Sequence, residues 1–259
     1  MPSAFEAENV VQFLISNKHK FIYVRQPKSS SSAIIDAIQR TFCEEDKCTR
    51  DEFMPLTSLE GMEQTWKDFY VFTWVRNPFS RIVSAYKMMS QKYLVMREGP
   101  DGTDVGEPCS VSFLTYTQNT NSLRSDCQIR GCCIYIAVYK QWIPWFIAAH
   151  INDQSHAVFS GDGGSMVDFI GRTENIEEDW NEMLLEFNER MNTSFEPMVF
   201  TLVNQADDTQ EQAAKTELCP GHESLRSYLN ETTMFNIAKQ YSRDLVLFDY
   251  FKKPAVELA

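Results

Sequence analysis

The sequence predicts an α/β fold with a doubly wound, mainly parallel sheet flanked by helices. Residues 20–25 (KFIYVR) and 69–75 (FYVFTWV) are continuous apolar runs rich in strand-forming residues. Such runs are typical of strands in a parallel sheet, whose two faces are both covered. Each run is followed by a short loop and then by residues with the apolar spacing of a helix. The first 90 residues therefore contain two strand–loop–helix units.

Each predicted strand leads into a predicted helix. Residues 33–42 and 80–89 both carry apolar side chains at helical spacing. Asn77 is a suitable N-cap for the second helix, and Pro78 suits its first position. The residues before the first strand are predicted to form an amphipathic helix with four apolar side chains on one face. Those side chains are Phe5, Val10, Val11 and Leu14.

The rest of the chain is less regular. Residues 97–109 are dense in Gly, Pro and Asp, which predicts an exposed loop. A third strand is predicted at residues 166–171, followed by a long amphipathic helix over residues 174–191. Residues 203–220 are predicted to form a polar loop, and residues 245–250 close the domain. Further helices are predicted at residues 110–120, 137–149, 223–229 and 231–245.

Length and composition limit the classes of function. The chain has 259 residues, 43% of them hydrophobic, and we expect a single domain over residues 1–259. Its formal net charge of −12 argues against nucleic-acid binding and favours a neutral or cationic partner over a polyanion. No apolar run reaches the roughly 20 residues that span a membrane, and the N-terminus lacks the features of a signal peptide. We therefore expect a cytoplasmic or otherwise soluble protein.

The seven cysteines are predicted to be reduced and mostly buried thiols. Cys43 and Cys48 lie close together in sequence, and residues 127–133 contain a second cluster. Neither cluster has the spacing of a zinc site, and no histidine stands at ligand spacing, so we predict no metal site. Disulfides would be expected instead in a secretory protein. Short N-glycosylation motifs begin at Asn192 and at Asn230.

The first loop, residues 26–32 (QPKSSSS), predicts an anion-binding site. A loop between a buried strand and a helix N-terminus presents backbone N–H groups, and the helix dipole adds a partial positive charge. Lys28 adds a full positive charge, and the four serines add hydroxyl donors. Both glycines of the P-loop motif are absent, which argues against hydrolysis of ATP or GTP. Taken alone, the segment also fits an ordinary serine-rich turn.

The second loop, which begins residues 75–86 (VRNPFSRIVSAY), predicts a phosphate contact. Arg76 lies at the carboxyl end of a predicted strand, where α/β sheets bind ligands. Ser84 lies two helical turns further along. A guanidinium and a hydroxyl could hold a phosphate together, with Arg76 donating through two N–H groups. The alternative interpretation is a capped helix with a surface arginine.

Taken together, the two loops resemble those of sulfotransferases that use 3′-phosphoadenosine 5′-phosphosulfate (PAPS). The resemblance is greatest to the branch that includes carbohydrate sulfotransferases of the Golgi. A stretch from His150 to Gln154 also resembles a His-x-x-x-Gln motif of relatives. The segments that carry the resemblance are KFIYVRQPKSSSSA (20–33), FTWVRNPFSRIVSAY (72–86), VDFIGRTENIEEDW (167–180) and YSRDLVLFDY (241–250).

This resemblance implies a sulfotransferase fold related to that of P-loop proteins. It implies transfer of a sulfuryl group from PAPS to a hydroxyl or amine of a glycan or small molecule, leaving 3′-phosphoadenosine 5′-phosphate (PAP). The first loop would hold the 5′-phosphosulfate, with Lys28 offsetting charge on the leaving phosphate, and the second loop would hold the 3′-phosphate. No metal would be required. The residues implied in donor binding are Arg25, Pro27, Lys28, Ser29, Ser30, Ser31, Ser32, Arg76, Ser84 and Arg172.

The resemblance does not identify the general base by a single residue. Relatives use His or Glu, and no histidine lies between the two loops, so His150 is the first choice and Glu52 or Glu60 the alternative. Two other functions stay open. A P-loop-type small-molecule kinase would need the missing glycines and an Asp for Mg²⁺. A non-catalytic nucleotide-binding protein could use the same scaffold. Golgi relatives carry an N-terminal anchor, so a Golgi location is expected only for a trimmed catalytic domain.

Overall fold

The computed structural model describes residues 12–43, 53–55, 67–90, 94–98, 103–104, 112–124, 134–136, 150–160, 163–200 and 225–252. Its strands are β1 (Gln12–Ser16), β2 (Phe21–Arg25), β3 (Phe53–Pro55), β4 (Tyr70–Val75), β5 (Leu94–Glu98), β6 (Thr103–Asp104), β7 (Ile134–Ile136) and β8 (Phe169–Arg172). Its α-helices are α1 (Ser31–Phe42), α2 (Pro78–Ser90), α3 (Phe113–Arg124), α4 (Ile176–Met191), α5 (Leu225–Tyr228), α6 (Glu231–Gln240) and α7 (Ser242–Leu247). Single 3₁₀ turns lie at Gln154–Ala157, Thr173–Asn175 and Tyr250–Lys252.

The chain forms two compact units, each assembled from segments that are not contiguous in sequence. The sheet unit comprises Asn9–Arg76 and Gln154–Asn204. The helical unit comprises Met1–Glu8, Asn77–Asp153 and Gln205–Ala259. The expectation of one domain over residues 1–259 stays a prediction.

A five-stranded sheet with the order β3-β1-β2-β4-β8 organises the sheet unit. β2 pairs in parallel with β4, and β4 pairs in parallel with β8. β1 is antiparallel to both β2 and β3, so four of the five strands share one direction. Every residue of β4 is buried, which explains why this strand is a continuous apolar run. The predicted α/β class is confirmed, and the sheet is mixed, with two parallel and two antiparallel pairings.

The N-terminal prediction of an amphipathic helix is wrong where the structure describes it. Leu14 lies in β1, while Phe5, Val10 and Val11 lie outside the described residues. Phe13 and Ile15 are buried, and β1 pairs with β2 across a short turn in which Lys20 adopts a φ of 57°. Alternating burial with period two, rather than a helical stripe, therefore decides this segment.

The core of the sheet unit lies between one face of the sheet and the helices α1 and α4. Phe72 and Trp74 of β4 pack there with Trp180 and Phe187 of α4, and the rings of Trp74 and Trp180 lie 5.7 Å apart. Gly171 of β8 permits this packing, because a Cβ atom there would lie 2.3 Å from Cε2 of Trp74. The third strand and its helix form as predicted, but the strand begins three residues later and ends one residue later, and the helix begins two residues later and ends at the same residue.

Aromatic contacts join the helices of the helical unit. The ring of Tyr86 on α2 lies 5.1 Å from Phe113 and 5.4 Å from Tyr116 on α3, and 5.8 Å from Tyr228 on α5. The hydroxyl of Tyr241 donates to the carbonyl of Ile151 at 2.6 Å. These contacts bring segments that are distant in sequence into one core.

Part of the loop predicted at residues 97–109 is instead β-structure. Arg97 pairs with Asp104 and Glu98 with Thr103, and β5 pairs with β7, giving a small sheet with the order β6-β5-β7. The Gly- and Pro-rich residues 99–102 between β5 and β6, whose composition predicted a loop, lie outside the described residues. The predicted helix at 137–149 and the predicted polar loop at 203–220 lie outside the described residues.

The prediction of reduced thiols is wrong for Cys43, which is disulfide-bonded. Cys43 ends α1 in an extended conformation and is half-buried, so its side chain can reach another cysteine. Frequencies of cysteine burial alone do not distinguish a thiol from a disulfide. The other six cysteines lie outside the described residues.

Candidate functional site

The two loops singled out in the sequence begin at neighbouring strand ends. β2 and β4 are parallel neighbours in which Val24 pairs with Thr73, so Arg25 and Val75 end their strands at the same edge of the sheet. Residues 26–30 leave this edge after β2, and Arg76 leaves it after β4. This is the edge where open α/β sheets bind ligands.

The first loop has an unusual backbone. Lys28 and Ser30 have φ values of 68° and 55°, while Ser29 between them does not have a positive φ. The N–H of Ser29 donates to the carbonyl of Gln26 at 3.3 Å, which closes a tight turn. Non-glycine residues with positive φ are uncommon, and alternating signs of φ turn successive N–H groups toward one concavity that suits anions.

The N-terminus of α1 follows directly after this turn. Ser30 is the N-cap residue, and its side chain makes no capping hydrogen bond. Within the described residues, no group accepts a hydrogen bond from the backbone N–H of Ser30, Ser31, Ser32 or Ala33. These four donors lie at the positive end of the helix dipole. With the half-buried Lys28 beside them, they form an arrangement that can bind a phosphate or sulfate.

Gln154 lies between the first loop and Arg76. Its side-chain oxygen accepts hydrogen bonds from the hydroxyl of Ser29 and from the backbone N–H of Arg76, each at 2.8 Å. Its side-chain N–H₂ donates to the carbonyl of Arg76 at 2.8 Å, and its own carbonyl accepts from Nε2 of Gln26 at 3.3 Å. Gln154 and Ser29 are both fully buried. Both donors of Ser29, the hydroxyl and the N–H, are thus used within the protein.

The second loop places Arg76 beside the first loop. The half-buried Arg76 donates from Nη1 to the carbonyl of Lys28 at 3.4 Å. Asn77 caps α2 as predicted, because its side-chain oxygen accepts from the N–H of Phe79 at 3.0 Å. Ser84 is half-buried on α2 in the helical unit, so its pairing with Arg76 stays a prediction.

Comparison with known families settles what kind of protein carries this arrangement. The sequence profile of the sulfotransferase family matches residues 11–251. This chain belongs to the sulfotransferase family. The match covers nearly the whole chain and confirms the resemblance to PAPS-dependent sulfotransferases that the loops indicated. No curated protein and no solved structure matches the chain. Membership in this family supports sulfotransferase activity in general and argues against the kinase alternative.

The sulfotransferase has a further candidate anion contact at the end of β8. Arg172 is half-buried there, and its backbone N–H donates to the carboxylate of Asp179 on α4 at 2.5 Å. Burial raises the pKa of Asp179, although the hydrogen bond and the charge of Arg172 act in the opposite direction. Arg25, also half-buried, ends β2, and Pro27 begins the first loop. Whether these residues contact the donor stays a prediction.

The candidate bases of the sulfotransferase are less well defined. His150 is half-buried in the helical unit, and Glu52 and Glu60 lie outside the described residues.

Within the part of the chain that the structure describes, no cluster of three or more His, Cys, Asp or Glu side chains could hold a metal ion. In the same part of the chain, no helix has the length and apolar character needed to cross a membrane.

Sequence reasoning missed the role of Gln154. The segment from His150 to Gln154 resembles a motif of relatives, and its histidine is a candidate base. The presence of Gln154 in that motif was the available signal. A fully buried amide can satisfy several backbone groups at once. Nothing in the sequence shows which groups those are.

Proposed function

We propose that this sulfotransferase uses PAPS as its donor and that the first loop binds the 5′-phosphosulfate. The observation that carries the proposal is the set of four backbone N–H groups, from Ser30 to Ala33, that have no acceptor among the described residues. Ser30, Ser31 and Ala33 are buried or half-buried, and Ser32 is exposed. Backbone donors inside a protein are nearly always satisfied, so this cluster at a helix N-terminus favours an anionic ligand. Lys28 supplies the matching positive charge.

Roles within the first loop can be assigned more finely. Ser29 has no donor left for a ligand, so it would shape the loop, while Ser30, Ser31 and Ser32 would bind the phosphosulfate oxygens. Lys28 would offset the negative charge that grows on the leaving phosphate. Hydrogen bonds from charged groups strengthen as that charge develops, so Lys28 would act mainly on the rate of transfer.

The second loop would bind the 3′-phosphate through Arg76, with Ser84 adding a hydroxyl donor. The contact between Arg76 and the carbonyl of Lys28 supports this assignment, because it places a guanidinium next to the first loop. Arg25 and Arg172 are the further candidates. His150 would take the proton of the acceptor, with Glu52 or Glu60 as alternatives.

The acceptor would be a neutral or cationic glycan or small molecule carrying a hydroxyl or amine. The net charge of −12 supports this preference, because it disfavours binding of a polyanion. The Cys43 disulfide supports an oxidising compartment such as the lumen of the secretory pathway over the cytoplasm.

Isothermal titration with PAP tests the donor site, with ATP and Mg²⁺ as the comparison. We expect PAP to bind and ATP to bind weakly or not at all. Binding of ATP with Mg²⁺ in preference to PAP would contradict the proposal and favour the small-molecule kinase alternative. Transfer of ³⁵S from labelled PAPS to a panel of glycan and small-molecule acceptors then separates an enzyme from a binding protein on the same scaffold, which would bind PAP without transfer.

A further inference from the structure

Gln154 connects two parts of the chain that the proposed function assigns to different ends of the donor. The first loop would hold the 5′-phosphosulfate, and Arg76 would hold the 3′-phosphate. We propose that Gln154 is a positioning residue that fixes the separation between these two anion sites. This inference rests on the proposed function for the identity of the ligand. That Gln154 holds the two loops together can be tested without any ligand.

The hydrogen bonds of Gln154 clamp the peptide groups on both sides of Arg76. Its side-chain oxygen accepts from the N–H of Arg76, and its side-chain nitrogen donates to the carbonyl of the same residue, each at 2.8 Å. The amide thus pairs with Arg76 much as a neighbouring strand would. The backbone that carries the guanidinium of Arg76 is held on both its donor and its acceptor side.

The same side chain also holds the first loop. The hydroxyl of Ser29 donates to the oxygen that already accepts from Arg76, at 2.8 Å, and Gln26 donates to the carbonyl of Gln154 at 3.3 Å. Ser29 is the residue between Lys28 and Ser30, whose positive φ values shape the backbone of the loop. One buried amide therefore joins the loop around Lys28 to the residue that would bind the other phosphate.

The side-chain amide of Gln154 satisfies all three partners. The carbonyl of Arg76 needs a donor, while Ser29 and the N–H of Arg76 need an acceptor. A carboxylate would leave the carbonyl facing an oxygen, and an apolar side chain would remove all three hydrogen bonds. Since Gln154 is fully buried, water does not replace the lost bonds freely, and each unsatisfied group costs about 1–3 kcal/mol.

A fixed separation matters most for a ligand that uses both sites at once. When one phosphate is bound, the second site gains from proximity only if it is already held at the matching distance. Loosening the connection should therefore reduce binding of a ligand with both phosphates more than binding of a ligand with one. Loss of general stability would not produce that difference.

The sheet unit contains a matched control for this test. Asn188 has the same pattern of bonds: its side-chain oxygen accepts from the N–H of Phe195 at 2.9 Å and from the hydroxyl of Thr193 at 2.8 Å, and its nitrogen donates to the carbonyl of Phe195 at 2.8 Å. It lies about 18 Å along α4 from the helix N-terminus. Gln154→Glu and Asn188→Asp therefore make the same chemical change in two places.

The first experiment measures binding of PAP, adenosine 5′-phosphate and adenosine 3′-phosphate to the full chain by isothermal titration. We expect Gln154→Glu to weaken PAP binding by about 5- to 150-fold and each monophosphate by less than about threefold. Asn188→Asp should leave all three affinities unchanged. Equal weakening of the three nucleotides, or unchanged binding of PAP, would overturn the positioning role.

A second experiment needs no nucleotide. Hydrogen–deuterium exchange should rise in both loops, at residues 26–33 and 75–77, in Gln154→Glu and in Gln154→Met, which removes all three side-chain bonds. In Asn188→Asp it should rise only around residues 193–196. Unchanged exchange in the two loops would overturn the role of Gln154. If the wild-type chain does not bind PAP, the proposed function fails, and this exchange result still decides whether Gln154 joins the loops.

Discussion

At the residue scale, the first loop is held in a backbone conformation that its side chains do not favour. A left-handed conformation costs a non-glycine residue about 1–2 kcal/mol, and Lys28 and Ser30 both adopt positive φ within three residues. Strain of this kind is retained where the surrounding structure enforces it, and it is concentrated at functional sites. Here the enforcing contacts come from Gln154 and Gln26.

The charge of Lys28 can be tested against a lysine with the same backbone conformation. Lys20 also has a positive φ, 57°, but it is exposed in the turn before β2, with Nζ 4.9 Å from the centre of the Phe69 ring. Lys28→Ala should weaken PAP binding about 10- to 100-fold, the value of a charge-assisted hydrogen bond, and abolish measurable sulfuryl transfer. Lys20→Ala should change neither quantity. Normal turnover in Lys28→Ala would exclude Lys28 from the reaction.

Gly171 gives a second prediction at this scale. An added Cβ would lie 2.3 Å from Trp74 in the core, so Gly171→Ala must displace a buried indole and should lower the free energy of unfolding by about 1–3 kcal/mol. Gly163 is a control with a positive φ of 88° and no atom within 4 Å of the added Cβ. Gly163→Ala should cost less, about 1 kcal/mol, from backbone strain alone. Urea denaturation compares the two, and an equal loss would contradict the packing argument.

At the scale of elements, the sequence predicts those that are long and uniformly buried. β2 and β4 are nearly or wholly buried strands, and their apolar runs are visible without any alignment. The N-cap at Asn77 involves residues two positions apart, so it can be predicted from the sequence. β1 was missed because apolar Leu14 stands between Phe13 and Ile15, so its five residues show no clean alternation of apolar and polar side chains.

The candidate site is predictable only as far as its parts are local. Lys28 and Arg76 each follow an apolar strand, so a sequence can place both at the same sheet edge. Gln154 cannot be placed in this way, because it is 125 residues from Ser29 and 78 residues from Arg76. Its partners are backbone groups and a hydroxyl that many residues could supply, so the sequence carries no pattern for the contact.

The start of α4 predicts a pH dependence. The pKa of Asp179 is raised above its ordinary value, chiefly by burial, so the folded state binds this proton more tightly than the unfolded state does. The resulting contribution to stability is present below the unfolded pKa and is lost as the pH rises through the raised folded pKa. Asp179→Asn keeps an oxygen that can accept from Arg172 but has no proton to lose.

Urea denaturation of wild type and Asp179→Asn between about pH 3 and pH 7 measures this effect. The free energy of unfolding of the variant should rise relative to that of wild type as the pH increases through the acidic range. Asp36→Asn is the control, because Asp36 is an exposed partner of Arg40 on α1. A constant difference between wild type and Asp179→Asn across the range would show that Asp179 is not destabilised by burial.

At the scale of the whole molecule, the chain changes units at the residues of the candidate site. The sheet unit ends at Arg76 and resumes at Gln154, and these two residues are joined by two hydrogen bonds. The two points at which the sequence of the sheet unit is interrupted are therefore hydrogen-bonded to each other. The same pair is therefore important for the candidate site and for joining the two sequence segments that make up the sheet unit.

The disulfide of Cys43 gives the last prediction. A proteolytic digest prepared without reductant should contain the Cys43 peptide linked to a second cysteine peptide, and reductant should separate the two. Reduction should also lower the free energy of unfolding by about 2–4 kcal/mol, since the bond restricts the unfolded chain. Cys43→Ser should cause a similar loss without reductant. Alkylation of Cys43 in the denatured, unreduced chain would show that the thiol is free. Because disulfides persist in oxidising environments, a linked Cys43 in protein from its natural source would also favour the secretory pathway over the cytoplasm.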